Sequence, residues 1–172
     1  MLGLKHNTNI LVDYDPQWAN EFAAEHDRIA AALGGLAKGI EHYGSTAVPG
    51  MRAKPILDIL IGLSPLSDWQ ACHDPLLALG YDYAAHAGVP GHHIFGRGRD
   101  LSERTHLVHL VDLGGYSWIS NLALRDALRR DPALRDSYSA VKEKAATEAP
   151  DSRPRYNELK RSFIDRMKAD LE

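Results

Sequence analysis

Residues 40–62 of the chain read IEHYGSTAVPGMRAKPILDILIG. Both ends of this stretch are rich in residues typical of strands, and its middle is a loop of small residues interrupted by glycine and proline. Two cations, Arg52 and Lys54, follow the loop, and one carboxylate, Asp58, lies in the second apolar run. The pattern predicts a strand, an anion-binding turn and a buried strand in succession.

The loop consists of residue types that bind anions. Gly44 permits a positive φ and a close approach of the backbone to a ligand. Ser45 and Thr46 supply hydroxyls and consecutive N–H groups that can surround phosphate or carboxylate oxygens. Arg52 and Lys54 add positively charged donors. We therefore predict that a small molecule with phosphate or carboxylate groups binds at these five residues.

Asp58 is the only charged side chain in the apolar run 55–62. A carboxylate buried in such a strand needs a cation or a metal as partner, because an unpaired buried charge is strongly destabilising. Two interpretations follow. Asp58 belongs to a functional site, or it pairs with Arg52, Lys54 or another cation and only fixes the loop.

The composition excludes some classes of protein. A chain of 172 residues with 44% hydrophobic residues is long enough for one compact domain, residues 1–172. The net charge of −3 argues against general nucleic-acid binding, which needs a basic face. The single cysteine, Cys72, excludes an intramolecular disulfide and a cysteine-based zinc site, and we expect it in the core. Without a long apolar run or a signal peptide, we expect a cytoplasmic protein with no membrane association.

The periodicity predicts an α/β (α+β) domain, with a mixed sheet flanked by helices and a helical C-terminal segment. Strands are predicted at residues 10–13, 39–43, 55–62, 81–85, 92–97 and 105–112. Helices are predicted at 16–34, 66–79, 117–130, 132–149 and 152–171. Ser117 is the expected cap of the third helix. In the last helix, Tyr156, Lys160 and Phe163 recur at helical spacing and predict a docking stripe from which Lys160 reaches the cleft.

The central stretch resembles the most recognisable motif of the GrpB-like family, through Glu41–Gly50 and Ala53–Leu60. The similarity continues through Val12–Trp18 near the N-terminus, and through Arg104–His106 and Leu122–Arg129 later in the chain. It thus covers almost the whole sequence. This resemblance implies the fold of the nucleotidyltransferase superfamily and a nucleotide as the phosphate-bearing ligand.

The resemblance also implies a divalent cation, with one departure from the usual pattern. Nucleotidyltransferases follow their Gly-Ser turn with a strand that carries two metal-binding carboxylates at alternate positions. Asp58 matches the first position, but Leu60 occupies the second, so a two-metal site is incomplete. His109 stands near the position of a third acidic ligand, which makes Asp58 and His109 the candidate catalytic residues and metal ligands. Zn²⁺ or Mn²⁺ suits such a pair better than Mg²⁺.

His106 and Arg125 are further candidates. His106 is a possible third metal ligand, but it is three residues from His109, so the two face opposite sides of a regular strand unless a bulge intervenes. Both histidines are alternatively hydrogen-bonded structural residues. Arg125 can extend the phosphate site from a helix, or form an exposed salt bridge.

Three functions are compatible with these residues. The first is a nucleotidyltransferase-like protein that binds a nucleotide and transfers a nucleotidyl or phosphoryl group with one divalent cation. The second is a non-catalytic binding or accessory module, similar to the GrpB-like domains fused to dephospho-coenzyme A kinase, and Leu60 favours this reading. The third is an enzyme of another class that uses a histidine-centred site for acid/base chemistry.

Overall fold

A mixed five-stranded sheet forms the centre of the molecule in the computed structural model, which describes all 172 residues. Its strand order is β2-β3-β7-β5-β4, with β3 and β7 parallel and the other neighbours antiparallel. A separate pair joins β1 to β6. The strands are β1 (Leu4–Lys5), β2 (Gly39–Tyr43), β3 (Leu57–Leu63), β4 (Asp82–Tyr83), β5 (His93–Arg97), β6 (Glu103–Arg104) and β7 (His106–Asp112).

Five helices surround this sheet, which confirms the predicted mixed α/β fold. They are α1 (Gln17–Leu33), α2 (Trp69–Ala78), α3 (Tyr116–Arg130), α4 (Pro132–Glu148) and α5 (Arg153–Ala169). Short 3₁₀ turns occupy Gly34–Leu36, Ser45–Ala47 and Leu66–Asp68. None of the helices combines the length and the apolar character needed to cross a membrane.

Two local predictions were wrong. The strand expected at residues 10–13 is reduced to a single bridge between Val12 and Ala53. Ser117 does not cap α3, because the helix begins one residue earlier, after Gly115 in an extended conformation. The hydroxyl of Ser117 is therefore free to bond elsewhere.

One face of the sheet, here called the core face, packs against α1 and α2. Alternate residues of β3 and β7, including Ile59, Ile61 and Val108, point to this face and are fully buried. They join Ile29 from α1 and Cys72 from α2 in the largest apolar cluster. Burial of Cys72 confirms its predicted place in the core.

The opposite face, here called the site face, carries the polar residues of the central motif. The strand register places Tyr43, Asp58, Leu60 and His109 on this side. Helix α3 crosses its far end, where Trp118 lies over Gly62. A Cβ at Gly62 would come within 3.1 Å of the Trp118 ring, so the glycine lets α3 pack closely.

The loop after β2 is anchored by the C-terminal helices. Val48 and Met51, fully buried, pack with Leu128 of α3, Tyr138 of α4 and Met167 of α5. This second apolar cluster holds α4 and α5 beside the site face, so side chains from the last third of the chain can reach the central motif.

The start of α4 offers a test of the capping contact. The Asp131 side chain accepts a hydrogen bond from the Leu134 N–H at 3.1 Å. We expect Asp131→Ala to lower the free energy of unfolding by about 1 kcal/mol, because an N–H at the helix start loses its partner. Asp131→Asn keeps a capping oxygen and should stay within about 0.3 kcal/mol of the parent protein in urea denaturation. Equal losses in both variants would contradict the capping role.

Candidate functional site

The Gly44 turn brings the loop directly against Asp58. Gly44 has φ 72°, and a Cβ at this position would lie 2.8 Å from Asp58 Oδ2, so only glycine fits without displacement. Ser45 follows in the turn, and Tyr138 of α4 lies fully enclosed nearby, so that burial is the main cause that raises the pKa of Tyr138 to about 12. The close approach of Gly44 to Asp58 fixes the turn against β3.

Asp58 and His109 meet on the site face. Leu60 is paired with His109 across β3 and β7, which places His109 diagonally from Asp58. Asp58 Oδ1 lies 3.6 Å from His109 Nε2, and the two side chains are 32% and 12% exposed. His109 Nε2 is buried without a hydrogen-bond partner. Leu60, two residues after Asp58 on the same face of β3, is fully buried, so no second carboxylate faces the site from β3.

The other side of His109 is bound to residues beyond the central motif. His109 Nδ1 lies 3.2 Å from His92 Nδ1, and His92 Nε2 lies 3.0 Å from Ser117 Oγ. The Tyr43 ring packs edge-on against His109, with ring centroids 5.4 Å apart. Burial is the main cause that lowers the pKa of His92 to about 4, assisted by His109 and Lys168. His92 is therefore neutral at pH 7.

His106 lies on the core face, opposite Asp58 and His109. Its ring contacts Thr105 Oγ1 at 2.8 Å and Arg97 Nη2 at 3.2 Å, and the residue is 6% exposed. Because β7 is regular, without a bulge, His106 cannot share an ion with Asp58. This placement corrects the inclusion of His106 among the predicted metal ligands.

Four neighbouring cations, two of which flank the buried ring of Tyr156, form a group that we call the basic cluster: Lys54, Lys142, Arg153 and Lys160. Lys54 Nζ lies 4.4 Å from the Tyr156 ring centroid, and Lys160 Nζ lies 4.3 Å from it. Arg153 donates to Asn9 Oδ1, and Lys142 donates to the Arg52 carbonyl oxygen.

The four cations of the basic cluster have no carboxylate in direct contact. None of its members forms a salt bridge. Burial, together with repulsion from neighbouring cations, lowers the pKa of Lys54 well below its ordinary value. The same causes lower the pKa of Lys142 to about 7, and burial is the main cause that lowers the pKa of Lys160 to about 8. Asp58 is the carboxylate that opposes these shifts at Lys54 and Lys160. The cluster would be stabilised by a bound anion.

The other predicted phosphate ligands are engaged within the protein. Thr46 Oγ1 bonds to His42 Nε2 at 2.9 Å and is buried. The Arg52 guanidinium pairs with Asp13 at 3.0 Å and Glu143 at 2.5 Å. The Arg125 guanidinium pairs with Glu41 at 2.7 Å and with Asp126 at 2.9 Å. These arginines thus join the central loop and α3 to the rest of the fold.

A divalent cation would have few protein ligands. No three His, Cys, Asp or Glu side chains converge in a geometry suited to a metal ion. Asp58 and His109 are the pair on the site face that fits one, because the buried, unpartnered Nε2 of His109 faces the carboxylate. The remaining coordination positions would fall to water or to ligand oxygens.

Comparison with known proteins gives the same fold. The chain is 31% identical to the glutamate-rich protein GrpB of Alkalihalophilus pseudofirmus, over 97% of this chain and 98% of that protein. The crystal structure of GrpB from Enterococcus faecalis has a TM-score of 0.83 at 30% identity, and the match covers 94% of this chain and 96% of that one. A more distant match is Cid1 poly(U) polymerase, with a TM-score of 0.54 at 15% identity, covering 78% of this chain and 43% of that one.

At this identity the distant match shows that the chain shares the fold of the matched part of the Cid1 polymerase. The family model described as "GrpB protein" matches residues 9–170, which is nearly the full length. With the two GrpB relatives, this match shows that the chain belongs to the GrpB protein family.

Proposed function

We propose that the protein binds a nucleotide, or another phosphate-bearing small molecule, between the loop Gly44–Lys54 and α5. The observation that carries this proposal is the pair of lysines, Lys54 and Lys160, that flank Tyr156 without any salt-bridge partner. Both residues are half-buried, and a cation withdrawn from water without a salt-bridge partner is costly to the fold. An anionic ligand would remove that cost, and phosphate groups carry enough charge to offset several cations at once.

Each part of the site has a role in this proposal. Lys54, Lys160 and Arg153 offset phosphate charge, and the Ser45 turn contacts phosphate oxygens. Asp58 and His109 hold one divalent cation, which would neutralise further phosphate charge when bound. The Cid1 polymerase that shares this fold was crystallised with Mg and 3′-dATP bound, which makes a nucleotide the first ligand to test.

Binding without transfer is the second candidate function. In place of a second carboxylate, β3 presents Leu60, which is fully buried in the sheet. An in-line displacement assisted by two metals needs both acidic ligands on this strand. A site with Asp58 alone can still bind and orient a nucleotide. A non-catalytic binding module needs no second carboxylate, so it is compatible with leucine at position 60.

Isothermal titration calorimetry tests the proposal. We expect metal-stripped protein to bind at least one of ATP, CTP, GTP and UTP, more tightly when Mg²⁺, Mn²⁺ or Zn²⁺ is present. Asp58→Asn should remove the effect of the cation, and Ser45→Ala should weaken nucleotide binding about 10-fold, the value of one hydrogen bond to a charged group. Asp74→Asn, at an exposed position on α2, is the matched control and should bind normally.

Two further outcomes decide between the candidates. Release of pyrophosphate or phosphate by the nucleotide complex, lost in Asp58→Asn, would support transfer, whereas tight binding without turnover would support the binding module. Failure of the folded parent protein to bind any of the four nucleotides or inorganic pyrophosphate would contradict the proposal.

A further inference from the structure

A continuous row of polar groups runs from the central motif to the start of α3. Asp58 Oδ1 faces His109 Nε2 at 3.6 Å, and the two histidine Nδ1 atoms are 3.2 Å apart. His92 Nε2 then lies 3.0 Å from Ser117 Oγ. The four side chains come from β3, β7, the loop before β5 and the first turn of α3. This row connects Asp58 on the site face with the half-buried Ser117.

The contact between the two Nδ1 atoms restricts where the protons can be. When both imidazoles are neutral, one Nδ1 donates and the other accepts. If His92 donates, His109 carries its proton on Nε2, facing Asp58, and His92 Nε2 accepts from the Ser117 hydroxyl. If His109 donates, its Nε2 presents a lone pair beside the Asp58 carboxylate, and His92 Nε2–H donates to Ser117 Oγ.

Which of the two proton arrangements forms depends on whether a divalent cation lies beside Asp58. Without a cation, an Nε2–H beside the carboxylate is favourable and a lone pair there is repelled. With a divalent cation held by Asp58 and His109, Nε2 must supply its lone pair, so the proton of His109 has to be on Nδ1. Each state therefore requires one direction of hydrogen bonding along the whole row.

We propose that His92 and Ser117 form a positioning relay that fixes the tautomer of His109 and reverses direction when Asp58 and His109 bind a divalent cation. This inference rests on the cation site of the proposed function. On reversal, one proton passes from His92 Nδ1 to His109 Nδ1. The proton on His109 Nε2 leaves to solvent, and His92 Nε2 gains one through Ser117, so no net proton is bound or released.

The surroundings of the relay hold its geometry. The two imidazoles are almost perpendicular, with an interplanar angle of 88°. Tyr43 packs edge-on against the other side of His109. Lys168, the charged group that acts on His92 from α5, is itself bonded to Asn121 Oδ1 at 2.9 Å.

Nitrogen NMR of ¹⁵N-histidine-labelled protein at pH 7.5 tests the two directions, with Zn²⁺ alone as the probe. Without metal we expect the protons on His109 Nε2 and His92 Nδ1, and with Zn²⁺ on His109 Nδ1 and His92 Nε2. Spectra of His92→Gln and His109→Gln assign the signals. A metal-free His109 that carries protons on both nitrogens, or tautomers that do not change on Zn²⁺ binding, would overturn the relay.

Zn²⁺ affinity gives a second readout. Loss of a group that orients a metal-binding histidine typically costs about 10- to 100-fold in affinity, so His92→Phe should raise the Kd by that factor. Ser117→Ala, a mild change in the first turn of α3, should raise it by a smaller factor. His73→Gln on α2, beyond the core face, is the control and should leave the Kd unchanged.

These variants distinguish a failure of the proposed relay from a failure of the proposed cation site. If Asp58→Asn abolishes Zn²⁺ binding while His92→Phe and Ser117→Ala keep the parent affinity, the cation site holds and the relay is wrong. If Asp58→Asn retains the parent affinity, both are wrong.

Discussion

Replacement of Lys160 by methionine is expected to weaken binding of a nucleoside triphosphate about 10- to 100-fold, the value of a hydrogen bond to a charged group. The same change should raise the free energy of unfolding of the ligand-free protein by about 1 kcal/mol, because an uncompensated cation is replaced by an apolar side chain of similar length. Lys54→Met should have the same two effects, on nucleotide affinity and on the free energy of unfolding, because the ammonium group of Lys54 flanks the same Tyr156 ring. Calorimetry and urea denaturation measure the two effects.

In Lys160→Met the nucleotide affinity is expected to fall while the free energy of unfolding rises. These opposite changes distinguish a binding role of Lys160 from a structural one. Lys144→Met is the matched control, because Lys144 lies on α4 with its side chain 79% exposed. It should change neither quantity by more than about 0.5 kcal/mol. Loss of stability in Lys160→Met would mean that the ammonium group holds the fold together, and unchanged nucleotide affinity would remove it from the binding site.

The pH dependence of stability follows from the same lysines. The folded protein holds the pKa of Lys142 at about 7 and of Lys160 at about 8, below the ordinary value of 10.5. Between these values the unfolded chain binds more protons, so their contribution to the free energy of unfolding rises with pH from 7 towards 10.5. In Lys160→Met this rise should be smaller above pH 8, whereas Lys144→Met should keep it.

Removal of the Glu25 carboxylate is expected to cost about 3–5 kcal/mol of stability, as for other buried ion pairs that lose one partner. Glu25 is 3% exposed and accepts hydrogen bonds from Tyr81 at 2.7 Å, Arg28 at 2.6 Å and Arg97 at 3.0 Å. Burial alone raises its pKa, but Tyr81, Arg97 and Arg28 together hold the pKa below its ordinary value. Glu25→Ala leaves the Arg97 charge and the Tyr81 hydroxyl without this partner.

The carboxylate also contributes to acid sensitivity. The pKa of Glu25 is lower in the folded protein than in the unfolded chain. The ionised carboxylate therefore stabilises the fold above the unfolded-state pKa, and this stabilisation is lost as the pH falls through the folded-state pKa. Urea denaturation at pH 7 measures the main effect. Glu158→Ala, at a 62% exposed position paired with Arg155, should cost under about 1 kcal/mol. Equal losses in the two variants would contradict the importance of the Glu25 network.

The central strands were predictable because their signals are local. The alternation in residues 39–43, the apolar run 55–62 and its single carboxylate, Asp58, predict these strands, and the family resemblance supplied the neighbouring strand with His109. The two-residue side-chain period of a regular strand also predicted that His106 and His109, three residues apart, point to opposite faces. Only the register between β3 and β7 shows that His109, rather than His106, faces Asp58.

The rest of the site depends on contacts that sequence spacing does not reveal. Lys142 and Arg153 lie on helices rich in charged residues, where a cation normally indicates a solvated face. Lys142 is buried and Arg153 is half-buried because α4 and α5 dock against Val48 and Met51, about a hundred residues earlier in the chain. Conversely, Arg52 was a reasonable phosphate ligand by position, but Asp13 and Glu143 come together around it only in the folded protein.

A crystal structure of the protein with a non-hydrolysable nucleoside triphosphate and Mn²⁺ tests the central claim most directly. The proposed site predicts phosphate oxygens within hydrogen-bonding distance of Lys54 Nζ and Lys160 Nζ, with Mn²⁺ between Asp58 and His109. A concavity of about 410 Å³ beside Arg97 and His106, at the core-face side of β7, is the alternative location for an anion. Phosphates bound there, with the basic cluster unoccupied, would contradict the proposed site.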